Sequence, residues 1–177
     1  MRAARHLLNP LRWLVQPPSR VVGAMSLKPT DRVLEVGCGP GWFSPHLAAA
    51  VHRGSLACAD AQPGMLRLAG TRLAGRPNAS MHAADACALP FVDASFDAVL
   101  LAHVLGEVAD PVSCLREARR VLGRDGALTV VESRRDGDFI PIGRLAALAA
   151  AAGMAIRSRR GPRWEYAARL VASPDLP

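Results

Sequence analysis

The stretch from Glu35 to Gly41 combines residue types and spacing that suit the binding of a small ligand. It begins within the largely apolar run Arg32–Val36 and leads into an alanine-rich helix expected to begin near Trp42. Glycine lets backbone N–H groups approach a ligand with no side chain between them, and a helix N-terminus favours that contact. The stretch therefore predicts a buried strand, a binding turn and a helix. The turn glycines form a G-x-G-x-G pattern at Gly37, Gly39 and Gly41.

Asp60 is the second residue that could bind such a ligand. It ends the apolar run Ser55–Ala59, nineteen residues after Gly41. An acidic residue at the end of the second strand of a nucleotide-binding unit accepts hydrogen bonds from ribose hydroxyls, whereas the alternative for Asp60 is a helix N-cap or turn residue. The first hypothesis is a nucleotide-like cofactor across the tips of two parallel strands. The alternative is a tight strand–helix turn without a ligand.

The residues around the glycines argue against a cofactor that contains a pyrophosphate. Trp42 occupies the position where a dinucleotide motif needs a third small residue. Pro40-Gly41-Trp42 also lacks the Gly-Lys-Ser/Thr sequence of a phosphate-binding P-loop. Glu35 would repel a pyrophosphate, yet its carboxylate can hold an ammonium or a hydroxyl group. These residues favour a cofactor that carries a positive charge.

The segment Glu35-Val-Gly-Cys-Gly-Pro-Gly41 resembles motif I of the class I S-adenosylmethionine-dependent methyltransferases. The most similar group is the small-molecule type that includes the ubiquinone/menaquinone C-methyltransferases. The resemblance implies S-adenosyl-L-methionine as the cofactor. It spans residues 30–135 in the order typical of the family, through Cys58–Met65, Ala84–Ala86, Leu89–Phe91, Ser95–Val99 and Leu115–Glu132.

The resemblance also assigns residues that would contact this cofactor. The glycine turn would pass beneath it, Glu35 would contact the methionine ammonium directly or through water, and Asp60 would accept both ribose hydroxyls. Asp85 would bind the adenine amino group with Ala86 donating from its backbone, and the alternative for Asp85 is an ordinary turn residue. Met65 is expected either on the adenine face or in the core. The expected cofactor-binding residues are Glu35, Gly37, Cys38, Gly39, Gly41, Asp60, Ala61, Met65, Asp85, Ala86 and His103.

Three polar residues near the ends of the fourth and fifth expected strands are candidates for catalysis. His103 could take a proton from an acceptor hydroxyl or carbon acid, or it could be a packed, hydrogen-bonded histidine. Glu107 and Glu132 are expected to face the pocket mouth and orient an acceptor amine or hydroxyl, or to be caps or solvated side chains. A sulfonium methyl group is already electrophilic, so an explicit base is optional.

The totals of the chain fit one α/β domain, with 177 residues of which 50% are hydrophobic. The net charge of +7 comes almost entirely from arginine, with Lys28 the sole lysine, and it indicates nonspecific surface charge more than an anionic partner. The four cysteines form no C-x-x-C pair and no histidine has zinc-ligand spacing, which predicts reduced thiols, no bound metal and a cytoplasmic protein. No apolar run is long enough to span a bilayer, and no signal-peptide pattern follows the basic start.

Residues 1–28 form a lead segment with five cationic residues and no acidic one. Its apolar residues, which include Trp13, are interrupted by prolines and predict one short amphipathic helix, with a second over Ser19–Ser26. The segment is expected to pack on the domain or cover the cofactor, and the alternative is contact with an anionic membrane surface. Residues 29–177 are expected to form a single methyltransferase domain.

Strands that alternate with helices predict an α/β fold with a doubly wound, Rossmann-like sheet of seven mostly parallel strands. The last two strands are expected to form a C-terminal antiparallel β-hairpin at the sheet edge, as in class I methyltransferases. A turn is expected at Gly123–Gly126, directly before the fifth strand. The remaining expected strands are Ala79–Ala84, Phe96–His103, Ala127–Val131, Met154–Arg159 and Arg163–Ala172, and the later helices are Pro63–Leu73, Pro111–Leu122 and Ile142–Ala152.

The methyl acceptor is the least visible part of the function. After the fourth strand the chain lacks the (Asn/Asp)-Pro-Pro-aromatic motif of amino-methylating enzymes, and no insertion is present to form a large substrate cap. Trp13, Leu105 and Phe139 favour a small, partly apolar acceptor, methylated by in-line displacement. The alternatives are an RNA or protein methyltransferase that uses the basic termini, and a non-catalytic partner subunit. The sequence predicts no oligomeric state.

Overall fold

The structure of the chain is a computed structural model that describes residues 17–135 and 137–173. Within these residues the strands are β1 (Arg32–Val36), β2 (Ser55–Asp60), β3 (Ala79–Ala83), β4 (Phe96–Ala102), β5 (Leu122–Ser133), β6 (Met154–Arg160) and β7 (Glu165–Ala172). The helices are α1 (Pro18–Met25), α2 (Ser44–Ala50), α3 (Pro63–Arg72), α4 (Pro111–Val121) and α5 (Ile142–Ala151). The first helix expected in the lead segment, with Trp13, lies outside the described residues.

All of these strands belong to one seven-stranded sheet in the order β3-β2-β1-β4-β5-β7-β6. The strands β1 to β5 are parallel, while β7 lies antiparallel between β5 and β6. The strand order reverses direction between β1 and β4, which leaves a crevice at their carboxyl ends. The prediction of a mostly parallel, doubly wound sheet with a C-terminal antiparallel hairpin is confirmed.

Helices cover both faces of the sheet and bury a hydrophobic cluster against each. On one face, α4 and α5 contribute the fully buried side chains of Leu115 and Leu145. On the other face, α1, α2 and α3 contribute Val21, Leu47 and Ala69. Because the central strands are covered on both faces, they are apolar along nearly their whole length instead of alternating with polar residues.

The starts of α3 and α4 follow local sequence signals. Pro63 and Pro111 each lie in the first turn, where a missing N–H group costs nothing. Asp110 caps α4 because one carboxylate oxygen accepts the N–H groups of Val112 and Ser113, both at 3.0 Å. These signals act between near neighbours in the chain, which is why the sequence alone locates the helices well.

The prediction of a turn at Gly123–Gly126 is wrong, because this segment lies inside β5. The strand already begins at Leu122, which pairs with Phe96 of β4. The next paired residues are Ala98 and Ala127, so the register shifts between the two pairs. The extra residues lie in β5, where a bulge accommodates residues that have no partner on the neighbouring strand. The helix after the glycine turn also differs: α2 begins at Ser44 rather than near Trp42, because the turn extends past its last glycine.

The structure also describes the state of the cysteines and the length of the helices, about which the sequence made predictions. Cys38, Cys58 and Cys114 are buried, Cys87 is half-buried, and all four are free thiols. Small buried thiols act as apolar packing groups. Among the helices that the structure describes, none is long and apolar enough to cross a bilayer.

Candidate cofactor-binding site

A cavity of about 260 Å³ opens at the carboxyl ends of β1, β2 and β4, where the strand order reverses. Open α/β sheets bind ligands at this point. All but one of the expected cofactor-binding residues line it, together with Glu107. The lining residues from that set are Glu35, Gly37, Cys38, Gly39, Asp60, Ala61, Met65, Asp85, Ala86 and His103.

The three turn glycines have positive φ angles but different surroundings. A Cβ atom on Gly41, the residue missing from the lining, would lie 2.9 Å from the Ala69 Cα of α3, so this glycine lets the turn pack against that helix. A Cβ atom on Gly37 would collide with the side chain of Val104. Gly39, at φ 52°, has open space where its Cβ atom would be. Gly39 therefore gives a ligand direct access to the backbone.

Asp60 ends β2, and two backbone amides hold its carboxylate in place. The Gly39 N–H donates to Oδ2 and the Gln62 N–H donates to Oδ1, each at 2.8 Å. Asp60 is 9% exposed, so the group is nearly enclosed but still borders the cavity. Each carboxylate oxygen has a second acceptor position. The turn role and a ligand-binding role are therefore compatible, because the fixed carboxylate can still accept from a pair of hydroxyls.

Glu35 lines the cavity from β1 and is only 2% exposed. Its Oε2 accepts a hydrogen bond from Ser44 Oγ at 2.5 Å, and Cys58 Sγ lies 3.7 Å from the same oxygen. Burial raises the pKa of this carboxyl to about 7, since desolvation outweighs the two hydrogen bonds that favour the charged form. A cation bound nearby would stabilise the carboxylate, so Glu35 is suited to a positively charged ligand.

The loop after β3 brings Asp85 and Ala86 to the same cavity. The Asp85 Oδ1 accepts the Cys87 N–H at 2.8 Å, so this exposed carboxylate forms a local turn and also lines the cavity. Met65 is half-buried on α3 and lines the cavity, and neither described core cluster includes it. Its placement favours contact with a ligand over a role in the core.

His103 directly follows β4 and has a left-handed backbone with φ 61°. A residue other than glycine is strained in this region, and such strain is concentrated at functional sites. The His103 N–H donates to the Val131 carbonyl oxygen at 3.0 Å, which fixes the backbone to β5. His103 and Glu107 both form part of the wall of the cavity that Asp60 borders.

The structure places Glu132 away from this cavity, contrary to the expectation that it faces the pocket mouth. It is 2% exposed, and its Oε2 accepts the Ile140 N–H at 3.1 Å. Its neighbour Val131 packs in the cluster beneath α1, and alternation along a strand turns Glu132 to the opposite face. Glu132 therefore holds the segment that leads into α5.

Much of the cavity wall consists of residues that the sequence reasoning did not assign to it. Of these residues, Trp42 was distinctive in the sequence, because it replaces the small residue of a dinucleotide motif. In the structure the Arg72 guanidinium carbon lies 6.0 Å from the centroid of the Trp42 ring. Leu105, expected near the acceptor, is instead fully buried in the core, and Phe139 packs 6.1 Å from Tyr166 between ring centroids. The additional lining residues are Val36, Pro40, Trp42, Phe43, Gln62, Ala84, Ala102, Val104 and Val108.

The comparisons with known proteins agree with this geometry. The sequence profile of a family described as a methyltransferase domain matches residues 34–130, which are more than half of the chain. This chain belongs to the class I S-adenosylmethionine-dependent methyltransferases. Within them it is similar to the ubiquinone/menaquinone C-methyltransferase group. The matched region of this methyltransferase chain runs from β1 into β5 and includes the glycine turn, Asp60 and Asp85.

Individual relatives give the extent of the similarity. A demethylmenaquinone methyltransferase from Renibacterium salmoninarum is 39% identical over 113 residues, which are 63% of this chain and 45% of that protein. The crystal structure of a SAM-dependent methyltransferase from Aquifex aeolicus has a TM-score of 0.85 at 20% identity and covers 94% of this chain and 95% of that one. An O-methyltransferase of neocarzinostatin biosynthesis, solved with S-adenosylmethionine and 2-hydroxy-5-methyl naphthoic acid, has a TM-score of 0.67 at 24% identity and covers 80% of this chain and 48% of that one. The chain spans less than half the length of the curated relatives it matches.

The residues of the cavity fit S-adenosyl-L-methionine, the cofactor of this family. Among the described residues that line it, none is a lysine or arginine. Such a charge pattern attracts a cationic ligand and repels a pyrophosphate. Gly39 offers the open backbone and Asp60 the acceptor oxygens that a ribose needs. The lining carboxylates are Glu35, Asp60, Asp85 and Glu107.

Proposed function

We propose that this protein transfers a methyl group from S-adenosyl-L-methionine to a small, partly apolar acceptor by in-line displacement. The observation that carries the proposal is the acidic cavity at the strand ends, where the open backbone of Gly39 lies beside the fixed carboxylate of Asp60. Carboxylates with no lysine or arginine among the described lining residues suit a positively charged cofactor.

The chain's own residues would bind and orient the reactants. When bound, S-adenosyl-L-methionine supplies an electrophilic methyl group on a positively charged sulfur. Gly39 and Asp60 would hold the nucleoside part, and Glu35 would hold the ammonium of the amino-acid part. The buried side chains of Phe43 and Val104 form an apolar wall that excludes water from the cavity. Alignment of the acceptor with the methyl group would supply most of the remaining catalysis.

His103 and Glu107 are the residues proposed to serve the acceptor. Both line the cavity at the carboxyl end of β4, and a neutral imidazole is able to accept a proton from a hydroxyl or carbon acid. Glu132 has no such role, because it is buried on the other face of the sheet. An explicit base is optional for displacement at a sulfonium methyl group, so orientation is the main role proposed for both residues.

A small-molecule acceptor is supported by the relatives. Curated relatives include a demethylmenaquinone methyltransferase and a ubiquinone/menaquinone biosynthesis C-methyltransferase, and the quinones in these names are small molecules. The alternative of an RNA substrate has the exposed arginines of β6 in its favour, including Arg157 and Arg159. The carboxylates that line the cavity would repel an approaching phosphate backbone, which weighs against an RNA substrate.

We also propose that residues 29–177 act as one catalytic domain and that residues 1–28 help to cover the cofactor. The described part of that lead segment, α1, packs against the sheet through Val21 and Met25. The four free thiols support a reducing compartment such as the cytoplasm.

Calorimetric titration of S-adenosylmethionine and S-adenosylhomocysteine into the purified protein tests the cofactor site. We expect binding by the wild type and a loss of about 10- to 100-fold in affinity for Asp60→Ala, because hydrogen bonds to a charged group contribute about 1.5–3 kcal/mol. Asp125→Ala is the matched control, since Asp125 is an exposed carboxylate at the opposite, amino end of β5.

The outcomes of this titration separate the hypotheses. A folded wild-type protein that binds neither ligand contradicts the proposal and favours a non-catalytic role. If binding occurs, incubation with a labelled methyl donor is carried out with a panel of small acceptors and, in parallel, with RNA. Label in a small acceptor supports the proposed function, whereas label in RNA alone overturns the small-molecule assignment.

A further inference from the structure

A second cavity, of about 290 Å³, lies between α1 and the hairpin formed by β6 and β7. Its apolar wall comes from Val21 and Val131, which are 2% and 1% exposed, and from Ala167. The exposed residues Arg20 and Arg160 also line it. The cavity therefore combines an apolar wall with a cationic edge.

The second cavity adjoins the cofactor cavity through two paired strands. Ala102 of β4 lines the cofactor cavity, and its register partner Val131 of β5 lines the second cavity. Neighbouring strands in a sheet lie about 4.8 Å apart. The backbone N–H of His103, which borders the cofactor cavity, also donates to Val131. A molecule in the second cavity would thus lie beside the space assigned to the cofactor.

Neither cation of this edge is neutralised by an ion pair within the described residues. The Arg160 Nη1 donates to the Gly23 carbonyl oxygen at 3.4 Å, which leaves most of its five N–H donors for another acceptor. Within residues 17–135 and 137–173, neither Arg160 nor Arg20 forms an ion pair with a carboxylate. Glu165 also lines the cavity, so the described lining residues include two cations and one anion.

We propose that this second cavity binds the anionic end of the methyl acceptor, a carboxylate joined to an apolar body, while the atom that receives the methyl group lies in the cofactor cavity beside His103 and Glu107. Arg20 and Arg160 bind the carboxylate, because a guanidinium matches the geometry of two carboxylate oxygens. Val21 and Val131 contact the apolar body. This inference rests on the proposed methyltransferase function and adds the class of its substrate, an acceptor with a carboxylate. A neutral quinone does not belong to this class.

The test uses the full chain saturated with S-adenosylhomocysteine and two aromatic probes of the same shape. Hydroxynaphthoate carries a carboxylate, and hydroxynaphthamide replaces it with an uncharged amide. We expect the wild type to bind hydroxynaphthoate at least about tenfold more tightly than the amide, since hydrogen bonds to charged groups are the stronger ones. Equal affinity for the two probes, or binding of neither, would overturn the inference.

Variants then locate the binding site. We expect Arg20→Ala and Arg160→Ala each to remove most of the preference for hydroxynaphthoate and to leave S-adenosylhomocysteine affinity unchanged. Arg160→Gln retains a donor that reaches toward α1 and serves as the second variant if Arg160→Ala does not fold. Arg124→Ala is the matched control, because Arg124 is exposed at the amino end of β5. A preference that survives both arginine changes would show that the carboxylate does not bind at this cavity. A preference that falls equally in the control would show that net charge alone attracts the probe. Either result would overturn the inference.

Failure of this inference is distinguishable from failure of the proposed function. If the wild type does not bind S-adenosylhomocysteine, the methyltransferase function itself is contradicted. Normal S-adenosylhomocysteine binding with no preference for the carboxylate contradicts only the substrate class. Transfer of a labelled methyl group to hydroxynaphthoate but not to hydroxynaphthamide would support both.

Discussion

Glu35 combines the chemistry of a ligand contact with the energetic cost of a buried acid. The carboxyl accepts a hydrogen bond from Ser44, yet burial dominates and raises its pKa to about 7 from the ordinary value of 4.5. The nearby carboxylate of Asp60 adds to the upward shift. The free protein therefore carries Glu35 in both protonation states near neutral pH, and conditions that favour one state change both stability and ligand affinity.

Replacement of Glu35 by Gln is expected to change how stability depends on pH. Because the pKa of Glu35 is higher in the folded state than in the unfolded state, the folded protein binds the extra proton between about pH 4.5 and 7. That contribution to stability is complete below pH 4.5 and is lost as the pH rises through about 7, with a size of roughly 3 kcal/mol. Urea unfolding of the wild type and Glu35→Gln across this range measures it. Identical pH dependence in the two proteins would contradict the buried, titrating carboxyl.

Gly39 and Gly41 should respond differently to the same substitution. Gly41→Ala places a Cβ atom 2.9 Å from the Ala69 Cα at φ 80°, so we expect a loss of about 1–3 kcal/mol in the free energy of unfolding. Gly39→Ala has open space and should cost only about 1 kcal/mol for its left-handed backbone, while it obstructs the cofactor. Urea unfolding and calorimetric titration of S-adenosylhomocysteine separate these effects. The assignment fails if Gly39→Ala binds normally.

The irregular segment between β3 and β4 is positioned by α4, which packs in the same hydrophobic cluster. Its first residues, which include Asp85, line the cofactor cavity. Its later part is bound by Arg120 of α4, whose guanidinium donates to the carbonyl oxygens of Phe91 at 2.7 Å and Leu89 at 2.9 Å. Glu117 accepts from the same guanidinium at 2.7 and 2.8 Å and orients it. One arginine thus connects α4 with a segment that reaches the cavity.

Arg120→Ala is expected to lower the free energy of unfolding by about 1–3 kcal/mol, because two partly buried carbonyl groups lose their donors. The contact with Asp93 contributes little, since that carboxylate side chain is 78% exposed. The pKa of Glu117, which Arg120 holds below its ordinary value, should return upward. Urea unfolding and NMR titration measure the two effects. Arg120→Lys should recover only part of the stability, because lysine lacks the planar fork.

A control arginine tests whether the effect is local to that segment. Arg124→Ala removes an exposed cation from the same region of sequence and should leave the free energy of unfolding within about 0.5 kcal/mol of the wild type. Equal losses for Arg120→Ala and Arg124→Ala would mean that the hydrogen bonds to the segment add nothing.

At the scale of the whole molecule, the cofactor site joins parts that are distant in the chain. The cavity is lined from β1, β2, β4 and the segment after β3, so it exists only when the sheet is assembled. A ligand that binds only this assembled state stabilises it by mass action. Ligand-dependent stability therefore reports on the site even before an acceptor is known.

S-adenosylhomocysteine at a hundredfold excess over its dissociation constant is expected to raise the melting temperature by about 5–11 °C. The increase follows from about 2.7 kcal/mol of linked binding energy and about 2–4 °C per kcal/mol for a domain of this size. Thermal unfolding followed by circular dichroism measures it at several ligand concentrations. Asp60→Ala at the same concentration should show a much smaller increase, and an equal increase in the variant would argue that the ligand binds elsewhere.

The sequence by itself determined the alternation of strands and helices, the glycine turn and the position of Asp60 at the end of β2. These features depend on short-range causes. Apolar runs, a proline such as Pro63 in a first turn and the conformational freedom of glycine act within a few residues of the chain. The resemblance to the methyltransferases also rests on such local motifs, which is why the family and the sheet order agree with the structure.

Only the tertiary structure decided which of these residues meet in space. Glu132 lies at the expected strand end, but alternation along β5 and the approach of Ile140 turn it away from the cavity. Gly41 belongs to the motif, yet its neighbour is Ala69 of α3 and not the cavity. The cationic edge of the second cavity joins Arg20 with Arg160, which are far apart in the chain. Each of these outcomes depends on contacts between elements distant in sequence, and a local pattern carries no information about such contacts.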